Sequence, residues 1–112
     1  MSKSRKQRED DVLLHIRKLL KQDYSYFETE HAAYRMRQYH ILRSEVLYVL
    51  RNGAHDAQHD VFSKKKDSWA YAICGETQDR DRTLRVIVSI GPIPPLPEEE
   101  YVIVVTIIDV IE

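Results

Sequence analysis

The feature that most constrains this chain is a change of hydrophobic period at Gly53. Before it, apolar residues recur three and four apart; after it, they alternate. A repeat near 3.6 lines up side chains on one face of a helix, and a repeat of two lines them up on one face of a strand. A helical half followed by a sheet is therefore expected. The junction is the stretch Thr29 to Gly53, TEHAAYRMRQYHILRSEVLYVLRNG. At 112 residues the chain has room for one domain and one modest core.

Met1 to Arg8, MSKSRKQR, is basic and polar, and residues 1–9 are expected to form a flexible N-terminus ahead of a single α+β domain over 10–112. Val12, Leu13, Ile16, Leu19 and Leu20 then give one apolar helical face, led by Asp10 and Asp11 at its positive end. Tyr24 to Glu28 alternates and reads as a short strand. Thr29 is placed to cap the next helix, with Ala32 and Met36 as its apolar stripe. A further helix starts at Ser44, buries Val46, Val49 and Leu50, and stops at Asn52-Gly53 with the glycine in a left-handed turn.

Beyond Gly53, Ala54 to Asp60 reads as a polar connector and Lys64 to Asp67 as a charged turn. In Ser68 to Gly75, Trp69, Tyr71 and Ile73 share one face. Ala70, Ala72 and Cys74 share the other, where small side chains leave room for a helix. Leu84, Val86, Val88 and Ile90 mark a second strand. Gly91 to Pro97 is expected to be neither helix nor central strand, because proline lacks an N–H donor. Tyr101 to Ile111 is a long β-branched strand. The sum is an α+β fold with N-terminal helices packed on one face of a three- to four-stranded antiparallel sheet.

No apolar run is long enough to span a bilayer, and the single cysteine, Cys74, has no partner within the chain, so a cytoplasmic protein without membrane contact is expected. The net charge of -1 gives no overall attraction to nucleic acid. Charge is unevenly spread, however. The last fifteen residues hold five acids and no Lys or Arg, which leaves seventeen basic and thirteen acidic residues elsewhere. A basic face is compatible with that distribution.

The order of signatures resembles a known family. Thr29, His31, Ala32, Arg35 and Met36 form T-x-H-A-x-x-R-M, and Arg51-Asn52-Gly53 ends the following helix. Trp69, Tyr71, Ile73 and Gly75 then form W-x-Y-x-I-x-G, followed by Asp81, Leu84, Arg85, Val86, Val88 and finally Thr106. Over residues 12 to 107 this is similar to domain-of-unknown-function family 4258, small prokaryotic proteins that resemble the RelE and MqsR toxins. The resemblance departs at Tyr39-His40, where family members often carry Arg-Gly. It implies a RelE-like fold, metal-independent ribonuclease activity, RNA as substrate and an antitoxin protein as partner.

Such cleavage needs a base, an acid and cations around the phosphorus. His31 is the candidate acid or base, and Arg35, one helical turn on, the candidate phosphate ligand. Arg85 offers a second cation and Tyr71 a proton donor or a surface for stacking. The plainer alternative has His31 tying its helix to a strand and Arg35 pairing with Glu45 or Asp81. Lys64, Lys65 and Lys66 beside Trp69 are the candidate RNA-binding group, or else a solvated hairpin tip. His55 and His59 stand four apart, a metal-ligand spacing on a helix. In this connector, with no HExxH glutamate, they read as solvated loop histidines, and no metal or cofactor is expected. The competing function class is a non-catalytic binding module that pairs through a sheet edge, with a homodimer through the C-terminal strand as one form of it.

Overall fold

In the computed structural model, residues 9–21, 25–93 and 96–110 are described. The expected flexible terminus therefore lies, apart from Glu9, outside the described residues. Three helices pack on one face of a six-stranded sheet. The chain runs α1 (Glu9–Leu20), β1 (Tyr26–Glu28), α2 (Glu30–Gln38), α3 (Arg43–Asn52), β2 (Ala54–His55), a 3-10 turn (Ala57–His59), β3 (Val61–Ser63), β4 (Ser68–Glu76), β5 (Thr83–Ile93) and β6 (Leu96–Val110). The α+β class is as expected. The sheet is larger and mixed: its order is β1-β6-β5-β4-β2, with β3 also on β4 and β1 parallel to β6. Strand β1 falls within the alternating stretch Tyr24 to Glu28, whereas β2 and β3, two and three residues long, are too short to leave an alternation in the sequence.

The core forms where the two periods meet. Val12, Ile16 and Leu19 of α1, Ala32 and Met36 of α2, and Val46, Val49 and Leu50 of α3 are buried. They pack against Tyr71, Ile73, Leu84, Val86, Val88, Val102, Val104 and Ile107. The helices thus cover the bulky face of β4, whereas the small-residue face had been expected to receive them. Tyr71 pairs with Val88 and Ile73 with Val86, so this face continues the apolar row of β5, and burying that continuous row removes the most apolar area from water. Ala70 and Cys74 are left on the face away from the helices.

Thr29 caps α2 as expected: its hydroxyl accepts from the Ala32 N–H at 3.1 Å and donates to the Val105 carbonyl at 3.0 Å. The left-handed stop belongs to α2. His40 has φ 54°, and the Ile41 N–H donates to the Met36 carbonyl at 2.8 Å, closing the helix end over the buried Met36 and Ile41 side chains. Gly53, expected to be left-handed, is extended at φ -82°, ψ -172°. A Cβ there would stand 2.6 Å from the Cys74 carbonyl oxygen and 2.7 Å from that of Val49, so glycine serves a close approach of α3 to β4.

Two further expectations change. Pro92 and Pro97 lie within β5 and β6, where Gly91 pairs with Tyr101 and Ile93 with Leu96 across a register shift. The proline segment is tolerated because β4 pairs with β5 only over 83–88 and β1 with β6 only over 102–104, so no third strand asks for the missing donors. The C-terminal strand, expected as an edge for a homodimer, lies between β1 and β5, with β1 covering it at Val102, Ile103 and Val104. No helix among the described residues is long and apolar enough to cross a membrane.

Candidate functional site

The helix-side candidates do not converge with the strand candidates. His31 is exposed on α2, one position from the buried Ala32, and makes no hydrogen bond or ion pair to another described residue. Arg35 packs its guanidinium 5.3 Å from the centre of the Tyr39 ring and donates to the Tyr39 hydroxyl at 3.3 Å. Neither acid proposed as its partner takes that role. Glu45 accepts from the Leu42 N–H and pairs with Arg82, and Asp81 accepts from the Thr77 hydroxyl, which holds its carboxyl below the ordinary carboxylate range. The groove of about 470 Å³ on this side contains Met36, Arg37, His40 and Leu42 but neither His31 nor Arg35.

Tyr71 and Arg85 point to opposite sides of the sheet. Residues directly opposed on paired strands share a face. Tyr71 opposes Val88 on the helix side, and Arg85 opposes Cys74 on the outer side. Tyr71 is 5% exposed within the core and meets the His55 ring edge-on at 5.8 Å. The sheet therefore separates Arg85 from His31, Arg35 and Tyr71.

The outer face carries a cavity of about 500 Å³. Ala70, Ile87 and Ile108 contribute apolar floor, and Val61 and Lys66 come from the β3–β4 hairpin. Trp69 contributes to the wall while packing 5.4 Å from Phe62, ring centre to ring centre. Lys64 and Lys65 are exposed at the hairpin tip; of the lysine run, Lys66 reaches the cavity. Arg85 and His59 stand at its margin.

What brings those two together is the polar connector that follows α3. Residues 55–60, HDAQHD, fold round the 3-10 turn into two nested His–Asp pairs. The inner pair is His55 Nε2 with Asp60, at 2.8 and 3.0 Å to its two oxygens, with the side chains 1% and 0% exposed. His55 is thus a buried structural histidine, because β2 pairs its backbone with Ile73 of β4 and carries the ring inside. Asp60 also accepts the Ala72 N–H at 2.8 Å, filling the gap on β4 between β2 and β3.

The outer pair opens to the cavity. Asp56 Oδ2 accepts from His59 Nδ1 at 2.8 Å and lies 3.5 Å from Arg85 Nε. One carboxylate oxygen therefore holds an imidazole and a guanidinium. With Nδ1–H donating to Asp56, His59 Nε2 keeps its lone pair for another partner. Arg85 makes no hydrogen bond to another described residue, and its buried Nε lacks one. Cys74, beside Arg85 on this face, has its thiol pushed up by burial, against the opposing pull of Arg85's charge, and so is disfavoured as a thiolate nucleophile. Among the described residues no group of three His, Cys, Asp or Glu side chains is placed to hold a metal ion.

Asp56 is not among the candidates that the sequence offers, and His59 is there only as a solvated loop histidine four residues from His55. The signal was the dipeptide His-Asp repeated four residues on, which a tight turn folds into nested pairs and a helix does not. A family model described as a domain of unknown function (DUF4258) matches residues 29–109, which include every residue lining the outer cavity. No curated protein and no solved structure matches the chain.

Proposed function

The chain belongs to the DUF4258 family, and we propose that it is a toxin-type RNA-cleaving domain whose metal-independent chemistry takes place on the outer face of the sheet. The observation that carries this reading is the single Asp56 carboxylate holding His59 and Arg85 at the margin of an open cavity. In the reaction, His59 Nε2 takes the proton of a ribose 2′-hydroxyl. The freed oxygen attacks the adjacent phosphorus, the P–O2′ bond forms and the P–O5′ bond breaks. Water protonates the departing 5′-oxygen, leaving a 2′,3′-cyclic phosphate and a 5′-hydroxyl. Arg85, with hydrogen-bonding capacity unspent, stabilises the charge that grows on the phosphoryl oxygens. Lys64, Lys65 and Lys66 lead the RNA backbone toward the cavity.

The test is a labelled single-stranded RNA incubated with the purified chain in excess chelator, beside a DNA of the same sequence. Cleavage of RNA alone, with cyclic-phosphate ends and a loss of at least 100-fold in His59→Ala and Arg85→Gln, is the expected result. Expression without a neutralising partner protein is expected to arrest growth, and His59→Ala to relieve the arrest. Intact RNA, equal cleavage of DNA, or an unchanged rate in His59→Ala at unchanged stability each overturns the reading.

A further inference from the structure

The phosphate chemistry of Asp56, His59 and Arg85 occupies only the margin of the outer cavity, and its larger part has no role in bond cleavage. That part is apolar, with Ala70, Ile87 and Ile108 beneath, and Ser89 and Thr106 also line it. At about 500 Å³ it falls inside the ~300–1,000 Å³ range of small-molecule sites. A bare phosphate would leave this apolar surface uncovered, and a hydrocarbon would leave the polar groups of Arg85, His59, Ser89 and Thr106 unmatched. A flat heterocycle with polar edges, attached to a phosphate, satisfies every part of the lining at once.

We propose that the cavity is a base-binding subsite, which seats one unstacked nucleobase on Ile87 and Ile108 while its own phosphate lies at Arg85. This rests on the reading of the outer face as an RNA site and names what that site selects. Thr106 is directly opposite Ile87 on the paired strand, so its hydroxyl stands at the edge of a base lying on that floor. A hydroxyl both donates and accepts, so Ser89 and Thr106 read the base edge and favour some bases over others. A base stacked within a duplex cannot enter, which makes the substrate single-stranded RNA with a preference at one position.

Trp69 is the only tryptophan in the chain and forms part of the cavity wall, so its fluorescence reports on occupancy. The intact chain is titrated with the four 3′-nucleoside monophosphates, the matching nucleosides and inorganic phosphate. The expected result is saturable change with nucleotides, unequal among the four bases. Nucleosides and phosphate should each bind at least about tenfold more weakly, and Arg85→Gln should remove the advantage of nucleotide over nucleoside. Thr106→Val, which keeps the shape, should alter the order of preference among bases. Ala70→Leu, which fills the floor, should weaken all four while circular dichroism and melting report a folded chain. Inorganic phosphate binding as tightly as any nucleotide, or both variants binding as the parent does, overturns the subsite. Saturable, base-dependent binding by a chain that leaves RNA intact supports the subsite and removes the cleavage reading alone. Cleavage without base preference or nucleotide binding removes the subsite and leaves that reading standing.

Discussion

Gly53 distinguishes two accounts of how α3 ends, and a pair of substitutions separates them. In a left-handed stop, Asn is nearly as good as Gly and Ala costs about 1 kcal/mol. The observed backbone is extended, at φ -82° and ψ -172°, so conformation imposes no such ranking. The obstacle is contact: a Cβ would meet the Cys74 and Val49 carbonyl oxygens at 2.6 and 2.7 Å. Neither can step aside cheaply. The Val49 oxygen already accepts the Gly53 N–H at 2.7 Å, and Cys74 is paired with Ala54 and Arg85 in the sheet. Overpacking costs about 1–3 kcal/mol, and two backbone collisions place Gly53→Ala near the top, at about 3 kcal/mol. Against a total stability of about 5–15 kcal/mol that is a large share, worth roughly 10 °C in melting temperature. Gly53→Asn is expected to lose at least as much. Urea unfolding followed by circular dichroism, at unchanged m-value, measures both. If Gly53→Asn lies within about 0.5 kcal/mol of the parent, the close-approach argument fails.

His40→Gly should stabilise the chain by about 1 kcal/mol, since it relieves a non-glycine residue at φ 54°, and urea midpoints will show it. Glu28 is pushed up by burial, but hydrogen bonds from Arg43 and Tyr26, with Arg43's charge, outweigh that and hold its carboxyl below the ordinary 4.5. Its contribution is therefore present above about pH 4.5 and lost as pH falls through the lower folded value, so melting temperature should drop in that acid range and drop less in Arg43→Met. Asp60→Ala strands both His55 and the Ala72 N–H in a buried setting and should cost about 3 kcal/mol in the same urea assay, whereas Asp56→Ala, at a partly exposed pair, should cost less than about 1 kcal/mol.

The parts of the fold legible in the sequence are those with long patterns. The face Val12, Ile16, Leu19 and the row Leu84, Val86, Val88 each repeat often enough to state their own geometry. Thr29 was legible because a cap needs one side-chain type at one place. Short strands carry no such redundancy: β2 is two residues, and its place on β4 depends on a pairing remote in sequence. Gly53 ends α3 for a reason other than the one its sequence suggests. Glycine suits both a left-handed turn and a close approach, and only three-dimensional neighbours show which applies. The left-handed position fell on His40, at φ 54°, where the sequence carries no glycine to mark it.

The sequence candidates fail to converge because of the same difference between local and remote information. His31 and Arg35 attracted attention because helical spacing puts them on one face, yet a shared face says nothing about what that face meets. Arg85 was found by its strand position, but its partner could not be, since Asp56 reaches it only because two other contacts fold the connector. The Asp56 N–H donates to the Ala72 carbonyl at 2.8 Å, and the Ala72 N–H donates to Asp60 at 2.8 Å. Both ends of the connector are thus pinned to one residue of β4, with the inner His55–Asp60 pair buried between them. Pinning the ends leaves the turn little freedom, so the outer Asp56–His59 pair has one direction to face, the open side of the sheet. Buried polar pairs hold a geometry that isolated loop residues cannot. In this arrangement the inner pair fixes the backbone and the outer pair stands at the surface beside Arg85, so neighbouring residues of one short connector divide between the core and the outer face.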